Sequence, residues 1–212
     1  MGLSRAEQFF TKEERERIQQ TTKGVECCTI GEVVVMVVDR SDDYLDGEVI
    51  GSVVLGGLLS LIISALFLHS SLWFFVPLAF LLFFPFRLIL RKYHPLRTAF
   101  LSARRRERAV RHRAIRAFHE KGLTRTKERT GILFFISILE HKVWVLADKG
   151  IHEKIGQETL NKFAAQVSKG IADGRACDAL CDAIKEAGQL LATHFPIRPD
   201  DTDELPNGLM IE

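Results

Sequence analysis

Between Val49 and Phe86 the chain has no Lys, Arg, Asp or Glu over 38 consecutive residues. A single transmembrane helix uses about 20 apolar residues to cross about 30 Å of hydrocarbon. The run is therefore too long for one span and just long enough for two. A helix in the core of a soluble domain seldom goes so far without a charge. His69-Ser70-Ser71 is the natural turn, so the sequence predicts a hairpin with spans over 49–68 and 72–90 and both ends on one side of a bilayer. The tip has no Lys or Arg, whereas Arg87, Arg91, Lys92 and Arg97 crowd the exit. The positive-inside rule then puts both termini in the cytosol, at the cytoplasmic (inner) membrane.

Other absences narrow the chemistry. The chain lacks Gly-x-Ser-x-Gly, Cys-x5-Arg, a Walker A loop, His-Glu-x-x-His and Gly-x-Gly-x-x-Gly, the usual marks of common nucleophile, metal and nucleotide sites. Its four cysteines, Cys27, Cys28, Cys177 and Cys181, have no disulfide-framework spacing, in keeping with a reducing compartment. A four-sulfur zinc site is disfavoured, because adjacent thiols chelate one metal awkwardly. No repeat of 20–50 residues is visible. The first residues lack the apolar core of a signal peptide, and Ala6 breaks the myristoylation pattern.

What is present is an uneven charge. The chain's net charge of +2 conceals a block from Arg87 to Arg129 with 15 Lys/Arg and three Asp/Glu, leaving −10 for the rest. Such a block points to a phosphate-bearing partner. Its position beside a membrane exit favours anionic lipid headgroups, with Arg87, Arg91, Lys92, Arg104, Arg105 and Arg108 as the contacts. Nucleic acid is the weaker reading, since the arginines of 104–116 lack interleaved aromatics.

Periodicity predicts the remaining elements. Residues 4–27 read as a helix with two competing capping boxes, Ser4/Glu7 and Thr11/Glu14. Residues 31–39 are β-branched and apolar on both faces, the pattern of a central strand. Residues 96–122 read as one basic helix stopped by Gly122, whose apolar stripe docks on the sheet. Two strands, 130–140 and 142–149, form an antiparallel hairpin. Helices follow over 152–170 and 175–194, then a loose acidic tail from Asp200 that Leu205-Pro206 can pin. The expected fold class is α/β, a mixed sheet between helices, with 1–48 and 91–199 forming one domain split by the 49–90 hairpin. Strand order is left open, and with it the edge at which Asp148 lies.

Within the first span Ser52, Gly56, Ser60 and Ser64 recur every fourth residue, spacing that lets two helix backbones approach closely. Packing of the hairpin on itself is the simpler use, and a dimer seam the sharper one. Pro77 is expected to kink the second span. The acidic loop after the first strand supplies Asp39, Asp42 and Asp43 at a strand's carboxyl end, where open α/β sheets bind ligands. These carboxylates can hold Ca²⁺ or Mg²⁺, or simply pair with arginines at the hairpin neck.

The blocks Gly31-Glu32-Val33-Val34-Val35, Thr130-Gly131-Ile132-Leu133 and Ser137 through Val143 to Leu146-Ala147-Asp148-Lys149-Gly150-Ile151 resemble the TPM domain family. That family includes thylakoid-lumen phosphatase-like proteins and a photosystem II repair protein, and the likeness is greatest to its bacterial branch with inserted membrane segments. The resemblance implies a mixed β-sheet between helices and, for some members, acid phosphatase activity. No catalytic motif carries over residue by residue. Three functions follow in order of preference: a membrane-tethered module binding a protein partner or another copy of itself, a metal-dependent phosphatase, and a nucleic-acid binder.

Overall fold

The sheet is organised by β1, Glu32–Val38, in which all seven residues are buried. Side chains alternate between the faces of a strand, and each face of β1 has its own core. Val33, Val35 and Val37 join one cluster with Ile18, Leu160, Phe163, Leu180 and Ile184. Val34, Met36 and Val38 join another with Val110, Ala114, Ala117 and Phe118. The two-sided apolar pattern thus reports a strand covered above and below. The computed structural model describes residues 4–67, 72–126, 128–197 and 209–212.

Two further strands, β2 (Gly131–Ser137) and β3 (Lys142–Ala147), and a short β4 (Leu209–Ile211) complete a sheet of order β3-β2-β1-β4. β1 runs parallel to β2, from Glu32 opposite Gly131 to Val38 opposite Ser137. β2 and β3 form the expected antiparallel hairpin. β4 is parallel to β1, with Met36 opposite Met210. The chain's last residues, expected as a loose tail, therefore form an edge strand. Glu212 extends the pairing, with its N–H donating to the Val37 carbonyl and its own carbonyl accepting from Asp39 N, each at 3.0 Å. Leu205-Pro206 lies outside the described residues.

The two N-terminal capping boxes are both used, so 4–27 is two helices. They are α1 (Arg5–Phe9), capped by Ser4 and Glu7, and α2 (Lys12–Glu26), capped by Thr11 and Glu14. Each box satisfies two orphan backbone N–H groups reciprocally, and two such signals seven residues apart in one predicted helix give two starts.

The described residues of the charge-free run fall within α3 (Leu45–Phe67) and α4 (Leu72–Lys92), which form the apolar pair. The predicted turn, His69-Ser70-Ser71, falls outside the described residues. Pro77 and Pro85 both lie inside α4. The expected single helix over 96–122 is also divided, into α5 (His94–Ala99) and α6 (Ala103–Glu120). Leu96 is 44% exposed, so only the stretch from Val110 onward docks on the sheet. Gly122 stops the helix as read, at φ 78°, a left-handed geometry in which a Cβ is penalised.

On the opposite face lie α7 (Lys149–Ala172), interrupted by non-helical backbone at Gly156, and α8 (Ala176–His194). Two compact units result, 1–41 with 108–212, and 42–107.

Candidate functional site

The hairpin unit exposes an unusual surface. Leu58, Leu61 and Leu66 on α3 and Trp73, Phe80, Leu81 and Leu88 on α4 are 56–88% exposed. Scattered exposed Leu is ordinary, but a continuous apolar surface of this size marks an interaction site. Both helices are long and apolar enough to cross a membrane, and only 28% and 6% of their apolar windows are buried. The small-residue stripe lies where α3 meets α4. Ser52, Ser60 and Ser64 are at most 4% exposed. The Ser60 hydroxyl donates to the Phe75 carbonyl at 2.8 Å. A Cβ on Gly56 would lie 3.3 Å from the Phe83 nitrogen. The stripe thus serves contact within one chain.

At the base of the hairpin the charged residues form a buried network. Glu48 is 3% exposed and Arg97 5%. The Arg97 guanidinium donates to the carbonyls of Leu90 (2.9 Å), Asp43 (2.8 Å) and Arg91 (2.7 Å). It also lies 3.2 Å from one Glu48 oxygen, while Arg87 Nε donates to the other at 3.0 Å. A planar five-donor fork can meet this many acceptors, whereas an ammonium cannot hold them in one plane. Arg105 ties the loop in the same way, donating to Asp42 and to Asp46, both at 2.9 Å. Its hydrogen bond to Asp42, together with the charge of Asp46, raises its pKa from the ordinary value. Asp43 is exposed. The Asp42 carboxylate also accepts from Asp43 N at 2.7 Å. Arg87, Arg91, Lys92, Arg104 and Arg108 are exposed.

In the sheet unit, the Asp39 carboxylate accepts from the Ala6 N–H. Asp39 belongs to the sheet unit, and Asp42 and Asp43 to the hairpin unit. Among the described residues no three His, Cys, Asp or Glu side chains are grouped to hold a metal ion. Asp148 caps α7, and its N–H donates to the Gly131 carbonyl at 2.9 Å. This puts it at the end of β2 opposite to Ser137. Cys27 and Cys28 are exposed, whereas Cys177 and Cys181 are buried. Burial and the neighbouring Cys181 push the Cys177 thiol up to about 12.

A polar cluster not anticipated from the sequence lies at the carboxyl ends of the parallel pair. Glu140, 5% exposed, accepts from Ser41 N at 3.0 Å and from the Ser137 hydroxyl. The Ser41 and Ser137 hydroxyls are 2.8 Å apart. With its proton given to Glu140, Ser137 accepts from Ser41. The cluster ties the segment leaving β1 to the turn after β2. Its residues are spread over about a hundred positions with no local motif, so only the strand register brings them together.

Residues 97–190 match the model of the TPM domain. No curated protein matches the sequence. The NMR structure of the BA42 protein from the psychrophilic bacterium Bizionia argentinensis sp. nov. has a similar fold, with a TM-score of 0.60 and 20% identity over 96% of each chain. The resemblance in the sequence blocks and the match over 97–190 agree: this part of the chain is similar to the TPM domain, and the mixed sheet between helices is a fold shared with that solved structure.

Proposed function

We propose that this chain is a membrane-anchored TPM domain acting as an interaction module at the cytosolic face of the cytoplasmic membrane. The observation that carries the reading is the unpartnered apolar surface of α3 and α4, because one unit cannot leave that much Leu, Phe and Trp in water. Burial inside a soluble core is a poor alternative for helices whose apolar windows are 28% and 6% buried. The exit residues Arg87, Arg91 and Lys92, with Tyr93 beside them, are exposed, as headgroup-facing anchors would be. Arg104 and Arg108 add cations that suit an anionic leaflet.

The reading prefers binding to catalysis because the carboxylates that would hold a catalytic cation are engaged: Asp39 by the Ala6 N–H and Asp42 by Arg105. The partner is then a protein or a second copy of this chain, reached in the plane of the membrane. Topology is tested by labelling single cysteines in a Cys-free background of intact cells. Ser70→Cys should react with an impermeant maleimide and Lys185→Cys should not; the reverse pattern refutes the orientation. The purified protein should hydrolyse no generic phosphomonoester with Ca²⁺, Mg²⁺ or EDTA. Metal-dependent hydrolysis abolished by Asp39→Asn, with the fold intact, would replace the interaction reading with a phosphatase.

A further inference from the structure

A groove opens where the β2–β3 turn meets α1 and the last turns of α7. Its volume is about 360 Å³, within the size range of small-molecule pockets. Phe9, Ile138 and Ile171 supply apolar walls, each only partly buried against the core behind them. Ser168, His141 and Lys142 supply the polar rim.

The rim has a sign. None of the lining residues is Asp or Glu, and Lys142 brings a cation with His141 beside it. Two carboxylates adjoin the lining in sequence and lie outside it: Glu140, turned to Ser41 N and the Ser137 hydroxyl, and Asp173, which pairs with Arg175 at 3.4 Å. His141 is held by backbone geometry. Its φ of 50° is left-handed, and its N–H donates to the Ile138 carbonyl at 3.2 Å, closing the turn. Histidine tolerates that conformation better than most residues, so the turn fixes where the ring starts. The groove also sits at the carboxyl end of β2, the side on which α/β sheets place their ligands.

We propose that this groove binds a small amphiphilic carboxylate, an acid with an aromatic or short aliphatic body. The body lies against Phe9, Ile138 and Ile171, and the carboxylate faces Lys142 and His141. An apolar wall alone would take any hydrophobe; the cationic rim selects the acid over its neutral analogue. The site lies wholly within the sheet unit and does not depend on the hairpin's place in a membrane.

The test uses the full chain in phosphatidylcholine nanodiscs, titrated with 4-phenylbutyrate and followed by saturation-transfer NMR, with empty nanodiscs as the baseline. Saturable binding above that baseline is expected, about tenfold tighter than for the neutral 4-phenylbutanamide. Lys142→Gln should weaken the acid about fivefold, the size of a rim ion pair, and leave the amide unchanged. Ser168→Phe, at an exposed position of α7, should fill the groove and remove both; Ala172→Phe does the same if the first variant melts early. No binding above empty discs, equal affinity for acid and amide, or binding that survives both Phe variants overturns the proposal.

Discussion

Replacing Arg97 by Met removes the guanidinium from the centre of the hairpin's base. Three backbone carbonyls then lose donors and Glu48 loses its buried counter-charge, keeping Arg87, whose side chain is 51% exposed. Breaking one side of a buried ion pair costs about 3–5 kcal/mol, because the remaining charge is left uncompensated. Glu48→Met should cost a similar amount, since Arg97 would remain buried with carbonyls alone. The double variant should cost far less than the sum, because no buried charge is left uncompensated, and what remains is chiefly the loss of donors to the three carbonyls. A coupling of about 2 kcal/mol or more is expected, at the upper end for residues in direct contact. Arg97→Lys keeps the charge but not the fork. At about 1 kcal/mol per lost hydrogen bond, it should fall between wild type and Arg97→Met. The hairpin unit can be followed alone, because Trp73 and Trp144 are the chain's two tryptophans. In a Trp144→Phe background, Trp73 emission during SDS titration from mixed micelles reports the 42–107 unit. If Arg97→Met shifts that transition by less than about 0.5 kcal/mol, or if the double variant is additive, the network is ornamental and the reasoning fails.

Three smaller experiments probe the rest of the structure. Gly56→Leu should destabilise the hairpin in the same assay by about 1–3 kcal/mol, the cost of overpacking. Gly57→Leu should be neutral, because a Cβ at Gly57 meets nothing within 4 Å; equal effects would mean that the wrong face of α3 has been assigned. In the native protein an aromatic disulfide reagent should titrate Cys27 and Cys28 only, with Cys177 and Cys181 reacting after unfolding. The Cys177 thiol is raised from 9.0 to about 12 in the fold, so the unfolded chain ionises first. Stability from this group is therefore full below pH 9 and falls as pH rises toward 12. A melting temperature that climbs over that interval would contradict the burial of this thiol.

Signals that depend on neighbours in sequence were legible. The charge-free run, the β-branched strand and the β2–β3 hairpin all came through because their periodicity is local. Both capping boxes are visible in the sequence, but the helical pattern running through them makes them look like competing starts of one helix. The division at Phe100–Ser102 has no mark in the sequence, since the apolar positions of α5 and α6 continue in phase across it. β4 was hidden in an acidic segment: three apolar residues, Leu209, Met210 and Ile211, are too few for a periodic signal, and only the open edge of β1 makes them a strand. At the base of the hairpin the sequence put Glu48 and Arg97 on the right flanks without pairing them. Nothing in composition distinguishes a buried arginine from the exposed ones around it. The Ser41–Ser137–Glu140 cluster was further out of reach, because it exists only once the parallel register of β1 and β2 is set.

The position of β1 in the sheet has a consequence for how the chain is made. β1 leaves the ribosome well before the strands it pairs with, which lie about a hundred residues downstream in β2 and still later in β4. Closing so distant a parallel pair is slow, because loop entropy is lost before any contact is gained. During that interval a strand with six apolar residues in a row, Val33 to Val38, stands unpaired, the kind of strand that seeks foreign edges. The next segment to emerge is the hairpin, which is delivered to lipid if it spans the membrane as proposed. Biogenesis would then anchor the chain at a surface before its sheet is complete, exchanging diffusion in the cytosol for a tethered wait. Slowing insertion should accordingly lower the yield of folded sheet even though no residue of the sheet has been altered.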